Sequence, residues 1–150
     1  MLILSSNFYY MGFFIKIYDN LILGVNNAKV ILANFYRPLY MRVFYILGIV
    51  LNLFLWIFSY FIFNNVTQDR IILHYNVDMG IDLIGDKIDI FNLPAIGFLV
   101  ILMNKIFLLI FLKKKFTDYK FISKYSSVFM IFSQIILILV VFSIYSINFK

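Results

Sequence analysis

A chain of 150 residues that is 64% hydrophobic and only 13% charged cannot hide its apolar side chains in one water-soluble core, because soluble domains hold about 45–50% apolar and about 25% charged residues. The absence of cysteine excludes disulfides, thiolate metal sites and cysteine nucleophiles, and the seven acidic residues are all aspartate. The net charge of +6 sits on the flanks of apolar runs, which is the pattern of topology signals and not of a nucleic-acid-binding surface.

Residues 1–42 form the first segment. Met1 to Ile17 is apolar but short, and Ser5, Ser6 and Asn7 interrupt it. It lacks a basic start and a small-residue cleavage site, which argues against a signal peptide. Leu21 to Tyr36 reads as a helix. Asn20, Asn27 and Asn34 recur at seven-residue spacing with Gly24 on the same side, giving a narrow polar stripe suited to the membrane interface. Arg37-Pro38 ends that helix. A fourth crossing or a re-entrant segment is the alternative.

Three apolar runs follow: Val43–Phe63, Leu93–Leu112 and Val128–Ile147. Each is close to the ~20 residues that carry a helix across a hydrocarbon core. Backbone amides in lipid must pair within their own segment, so the runs are expected to be helical despite their β-branched residues. Asn92 and Pro94 mark the start of the second helix. Trp56 lies within the first run, and Tyr45, Tyr60 and Tyr145 lie near run ends, where interfacial aromatics belong.

The basic residues set an expected orientation. Lys16, Lys29, Arg37 and Arg42 precede the first run, Arg70 and Lys87 stand between the first and second, and Lys113, Lys114, Lys115, Lys120 and Lys124 lie between the second and third. The counts of four, two and five place the N-terminal side and the basic loop 113–127 in the cytoplasm of a bacterial inner membrane, with loop 64–92 outside. The expected fold is an all-α membrane protein: three transmembrane helices, an N-terminal interfacial helix and a short β-hairpin-like external loop.

That external loop carries the one polar pattern long enough to fold. Ile71 to Tyr75 reads as a short strand, and Asp78-Met79-Gly80 and Ile84-Gly85-Asp86 read as turns. His74-Tyr75-Asn76, then Gly80, Asp82, Gly85 and Lys87, followed by Leu93-Pro94 opening an apolar helix, resembles the motif of a family of short bacterial multi-pass membrane proteins. That family is a domain of unknown function. It also occurs at the start of an immunity protein that protects sporulating bacilli from a secreted peptide toxin. From Arg42 onward the chain is further similar to hypothetical three-helix proteins of candidate-phylum bacteria. The resemblance implies a membrane location and no activity.

Chemistry in the loop has two readings. His74 with Asp78, Asp82, Asp86 and Asp89 offers oxygen ligands for a hard cation, but the spacing is wrong for an EF-hand and one histidine is too few for a zinc site. The favoured reading is that these side chains bond to loop amides and hold the turns. No nucleophile elbow, phosphate loop or dinucleotide fingerprint is present, so neither an enzyme nor a cofactor is expected.

Inside the spans, Asn52, Asn104, Lys105 and Gln134 fall at similar depths if the first two helices are antiparallel, which predicts one polar layer with Asn52 bonded to Asn104. Gly48, Asn52 and Ser59 share one helix face, and Gly97 and Asn104 another. Small and polar stripes favour helix packing in lipid. The opposing reading is an ion or proton path through Lys105. The expected function is a non-catalytic accessory or immunity-like protein that contacts other membrane proteins or its own copies within the lipid bilayer. The alternative is an oligomeric transport or channel component.

Overall fold

The computed structural model describes residues 3–76, 78, 80–114 and 117–149. The chain divides into two compact units, 1–38 and 39–150. The first is a single helix, α1 (Ile3–Tyr36), which at 34 residues is about 51 Å long. The helix does not wait for Leu21: its backbone runs unbroken through Ser5, Ser6 and Asn7. Short polar side chains weaken a helix by tenths of a kcal/mol, which the long apolar surroundings override. Arg37-Pro38 ends α1, as expected.

The second unit holds α2 (Leu39–Asn65), strands β1 (Arg70–Asn76) and β2 (Gly80–Asp86), a 3₁₀ helix (Lys87–Phe91), α3 (Asn92–Lys113) and α4 (Tyr119–Asn148). The segments Leu39–Asn65, Lys87–Lys113 and Tyr119–Asn148 are each long and apolar enough to cross a membrane. Only 28, 17 and 28% of their most apolar windows is buried inside the protein, so lipid must cover the rest.

Each helix outruns its apolar run, most of all α4, which starts nine residues before Val128. The stretch expected as basic loop is therefore mainly helix. Its lysines and serines are good enough helix formers, and at a bilayer surface they need not be apolar. Asn92 opens α3 as its first residue and not as its N-cap; that position is Phe91, and Pro94 falls in the first turn where its missing N–H costs nothing.

The buried residues of α2 are Met41, Tyr45, Gly48, Asn52, Leu55, Ser59 and Ile62, spaced alternately by four and three. Those of α4 include Ser123, Ser127, Met130, Gln134, Val141 and Ile144, and those of α3 are Pro94, Gly97, Ile101 and Leu108. This is a 3.5-residue repeat on all three helices, the pattern of left-handed coiled-coil packing. Gly48 lets the Met130 side chain come close, a Cβ there standing 3.0 Å from its terminal carbon. Tyr45 is buried in this seam and is not the interfacial anchor its position suggested.

An apolar cluster closes one end of the bundle. Leu55, Ile62 and Val66 meet Val141 and Ile144 from α4, Ile71 from β1, and Ile90 from the 3₁₀ helix. The hairpin is thus built into the core and is not a loose loop.

Candidate functional site: the hairpin cap and the buried amides

β1 and β2 pair antiparallel, with Ile71 opposite Gly85, Ile72 opposite Ile84, and Asn76 opposite Gly80. Asp78 lies in the connecting turn, and Gly80 has φ 83°, a left-handed conformation that favours glycine. The second expected turn, Ile84-Gly85-Asp86, is instead the end of β2. Gly85 serves close approach, not backbone freedom. The register slips by one residue at Leu73 in β1 and slips back by one in β2 between Ile81 and Leu83, and a Cβ on Gly85 would collide with the Leu73 side chain and lie 2.8 Å from Asp89 Oδ2. The bulge turns Leu73 toward the end cluster, and glycine makes room for it.

Lys87 ties the motif to the bundle. Its Nζ donates to Val66 O at 2.6 Å and sits 4.9 Å from the centre of the Phe63 ring. Val66 follows the last residue of α2, so the ammonium meets a carbonyl at the negative end of that helix. The Lys87 amide also donates to Asp69 O at 3.0 Å. Asp89 Oδ2 accepts from the Asp86 amide at 2.9 Å, fixing the start of the 3₁₀ helix. From the other side, Asn148 clamps β1: Ile72 N donates to its Oδ1 at 3.0 Å, and its Nδ2 donates to Ile72 O at 2.9 Å. No sequence signal singled out Asn148; a lone asparagine at the close of an apolar run was the only clue.

His74 is exposed on the hairpin. The side chains of Tyr75, Asn76 and Asp82, and with them the loop-amide bonds expected of Asp82, lie outside those described. Among the described residues, no three His or Asp side chains converge as a metal-binding group would require.

The expected single polar layer is two separate clusters. In the first, Asn52 Nδ2 donates to Pro94 O at 3.0 Å and reaches Gln134 Oε1 at 3.4 Å, while Gln134 Nε2 donates to Gly97 O at 2.8 Å. Gly97 is what lets both amides reach α3, since a Cβ there would lie 2.6 Å from Asn52 Nδ2 and 2.8 Å from Gln134 Oε1. In the second, Asn104 accepts from the Tyr45 hydroxyl at 2.6 Å and donates to Ser126 O and Oγ at 3.0 and 2.6 Å. Asn104 therefore lies opposite Tyr45, and Asn52 opposite Gly97. Seven residues separate Tyr45 from Asn52, about 10 Å along α2. The helix ends account for part of this offset: α2 starts four residues, about 6 Å, before Val43, which moves Asn52 deeper than its apolar run implied. Lys105, half-buried, follows Asn104 in α3.

These features define the class: a helical membrane protein with three helices able to span a bilayer and an ordered β-hairpin closing one end of the bundle. No protein-family model, curated protein or solved structure matches the chain.

Proposed function

We propose that the protein is a non-catalytic accessory or immunity-like membrane protein that binds another membrane protein through its hairpin. The observation carrying this reading is a firmly held hairpin with an apolar surface. Ile81, Leu83 and Ile84 on β2, and Ile88 on the 3₁₀ helix that follows it, are each half or more exposed, on elements held by Lys87, Asn148 and the end cluster. Large apolar side chains on a fixed backbone suit a protein interface, because little ordering entropy is lost on docking. The loop's resemblance to a family that includes an immunity protein supports the same reading. The buried amides support packing over conduction, since Asn52, Gln134 and Asn104 bond to one another's helices.

In this reading the N-terminal side and the α3–α4 turn are cytoplasmic, the hairpin faces outward from a bacterial inner membrane, and α1 lies in the interface. The four, two and five basic residues support it. A topology reporter fused after Lys115 reads cytoplasmic and one after Gln68 reads external; both on one side defeats the orientation. For the function, photo-crosslinkers at Leu83 and Ile88 in native membranes yield one discrete protein adduct that crosslinkers at Phe98 and Leu139 do not. The same adducts from all four sites, or lipid adducts alone, overturn the hairpin as the binding element. A second copy of this chain in the adduct favours the oligomeric alternative.

A further inference from the structure

At the end of the bundle opposite the hairpin, the α3–α4 connection concentrates positive charge. Lys113, Lys114, Lys120 and Lys124 stand there against one acid, Asp118. In the first two turns of α4, Lys120 and Lys124 are four apart and share a face. Phe121 and Tyr125 form the adjoining row, with ring centroids 4.2 Å apart and planes tilted by 43°. All four side chains are exposed. Together with Thr117 and Asp118 they line an open depression of about 350 Å³.

The chemistry of the lining selects its occupant. The helix carrying these residues is apolar enough to cross a bilayer, and they stand at its first turns, where it emerges. A paired phenyl and phenol there are poorly served by water, while two ammonium groups cannot enter hydrocarbon. A ligand complementary to both rows is an amphiphile with an anionic head. An acidic protein segment or a free anion would answer the lysines and leave the rings uncovered. We propose that this depression binds an anionic phospholipid, its phosphate held by Lys120 and Lys124 and its glycerol and first acyl carbons lying against Phe121 and Tyr125. Lys120 and Lys124 outnumber Asp118, and the positive end of α4 adds to the attraction.

The test uses the full chain purified in mild detergent, with phosphatidylglycerol or phosphatidylcholine added and bound lipid counted by native mass spectrometry. The wild type retains phosphatidylglycerol in preference to phosphatidylcholine. K120Q/K124Q loses that preference by about fivefold per lysine, while K120R/K124R keeps it. F121A/Y125A weakens retention of both lipids. Inorganic phosphate at millimolar concentration does not displace phosphatidylglycerol. Equal retention of the two lipids by the wild type overturns the proposal, as does an undiminished preference in K120Q/K124Q. Displacement by inorganic phosphate alone makes this a soluble-anion site and equally overturns it. If the double variant does not purify, the single K124Q carries the same comparison at half the expected effect on a logarithmic scale.

Discussion

The side-chain amide of Asn148 meets the backbone of Ile72 twice, accepting from its N–H at 3.0 Å and donating to its C=O at 2.9 Å. A side-chain amide has the same donor and acceptor as a peptide, so the last turn of α4 supplies β1 with what a neighbouring strand would supply. This joins the final helix to the hairpin 76 residues earlier in the chain.

Removing that amide is expected to loosen the hairpin. Asn148→Leu leaves both Ile72 groups half-buried without this partner, at a cost of about 1–3 kcal/mol. Amide hydrogen exchange is the direct measurement: protection at Ile72 falls sharply while the middle of α2 keeps its own. Unchanged protection at Ile72 would mean that the clamp contributes nothing.

Lys87 provides the second attachment. Lys87→Met keeps the aliphatic stem but loses the bond to Val66 O and the charge over the Phe63 ring. The expected loss is about 1.5–3 kcal/mol, the range for a hydrogen bond to a charged group. Thermal unfolding in detergent checks it, with Lys114→Met as an exposed control that moves little. Equal shifts in the two variants would count against the staple.

The two loop glycines are expected to fail for different reasons. Gly80→Ala is strained by its backbone, since φ is 83° there whatever the neighbours do. Gly85→Ala is a steric conflict with Leu73 and Asp89. Leu73→Ala should therefore rescue Gly85→Ala in part and leave Gly80→Ala unrescued. A rescue of both, or of neither, contradicts these assignments.

The amides within the bundle are expected to couple in pairs set by the structure. A double-mutant cycle on Asn52→Leu and Gln134→Leu should give an interaction of roughly 0.6 kcal/mol and at most about 1.7. The cycle on Asn52→Leu and Asn104→Leu should be additive within about 0.5 kcal/mol, because the two lie in different clusters. Coupling in the second cycle and not the first would restore the single polar layer.

Much of the architecture was legible in the chain because one physical cause dominated it. Long apolar runs must be helical in lipid, where unpaired peptide groups are too costly, and that alone specifies the three spans. The first turn of the hairpin was equally readable, since an aspartate followed closely by a glycine, Asp78 and Gly80, marks a turn with a left-handed position. The second expected turn was misread because Gly85 answers a neighbour's bulk and not a backbone angle, and sequence spacing carries no record of which side chain lies opposite.

Sequence alone determined that the chain must dissolve in a bilayer, which stretches cross it, and which faces of those stretches carry small and polar residues. Only the tertiary structure decided how those faces meet. Helix ends carry no sharp mark when lysines and serines continue an α-helix past its apolar run, so the depth of Asn52 relative to Asn104 could not be counted from the runs. A shift of four residues is a full helical turn, about 6 Å, and it moves an amide from one partner to another. The same holds for Asn148 and Ile72: a terminal asparagine becomes a strand's partner only when packing brings the end of α4 against the hairpin.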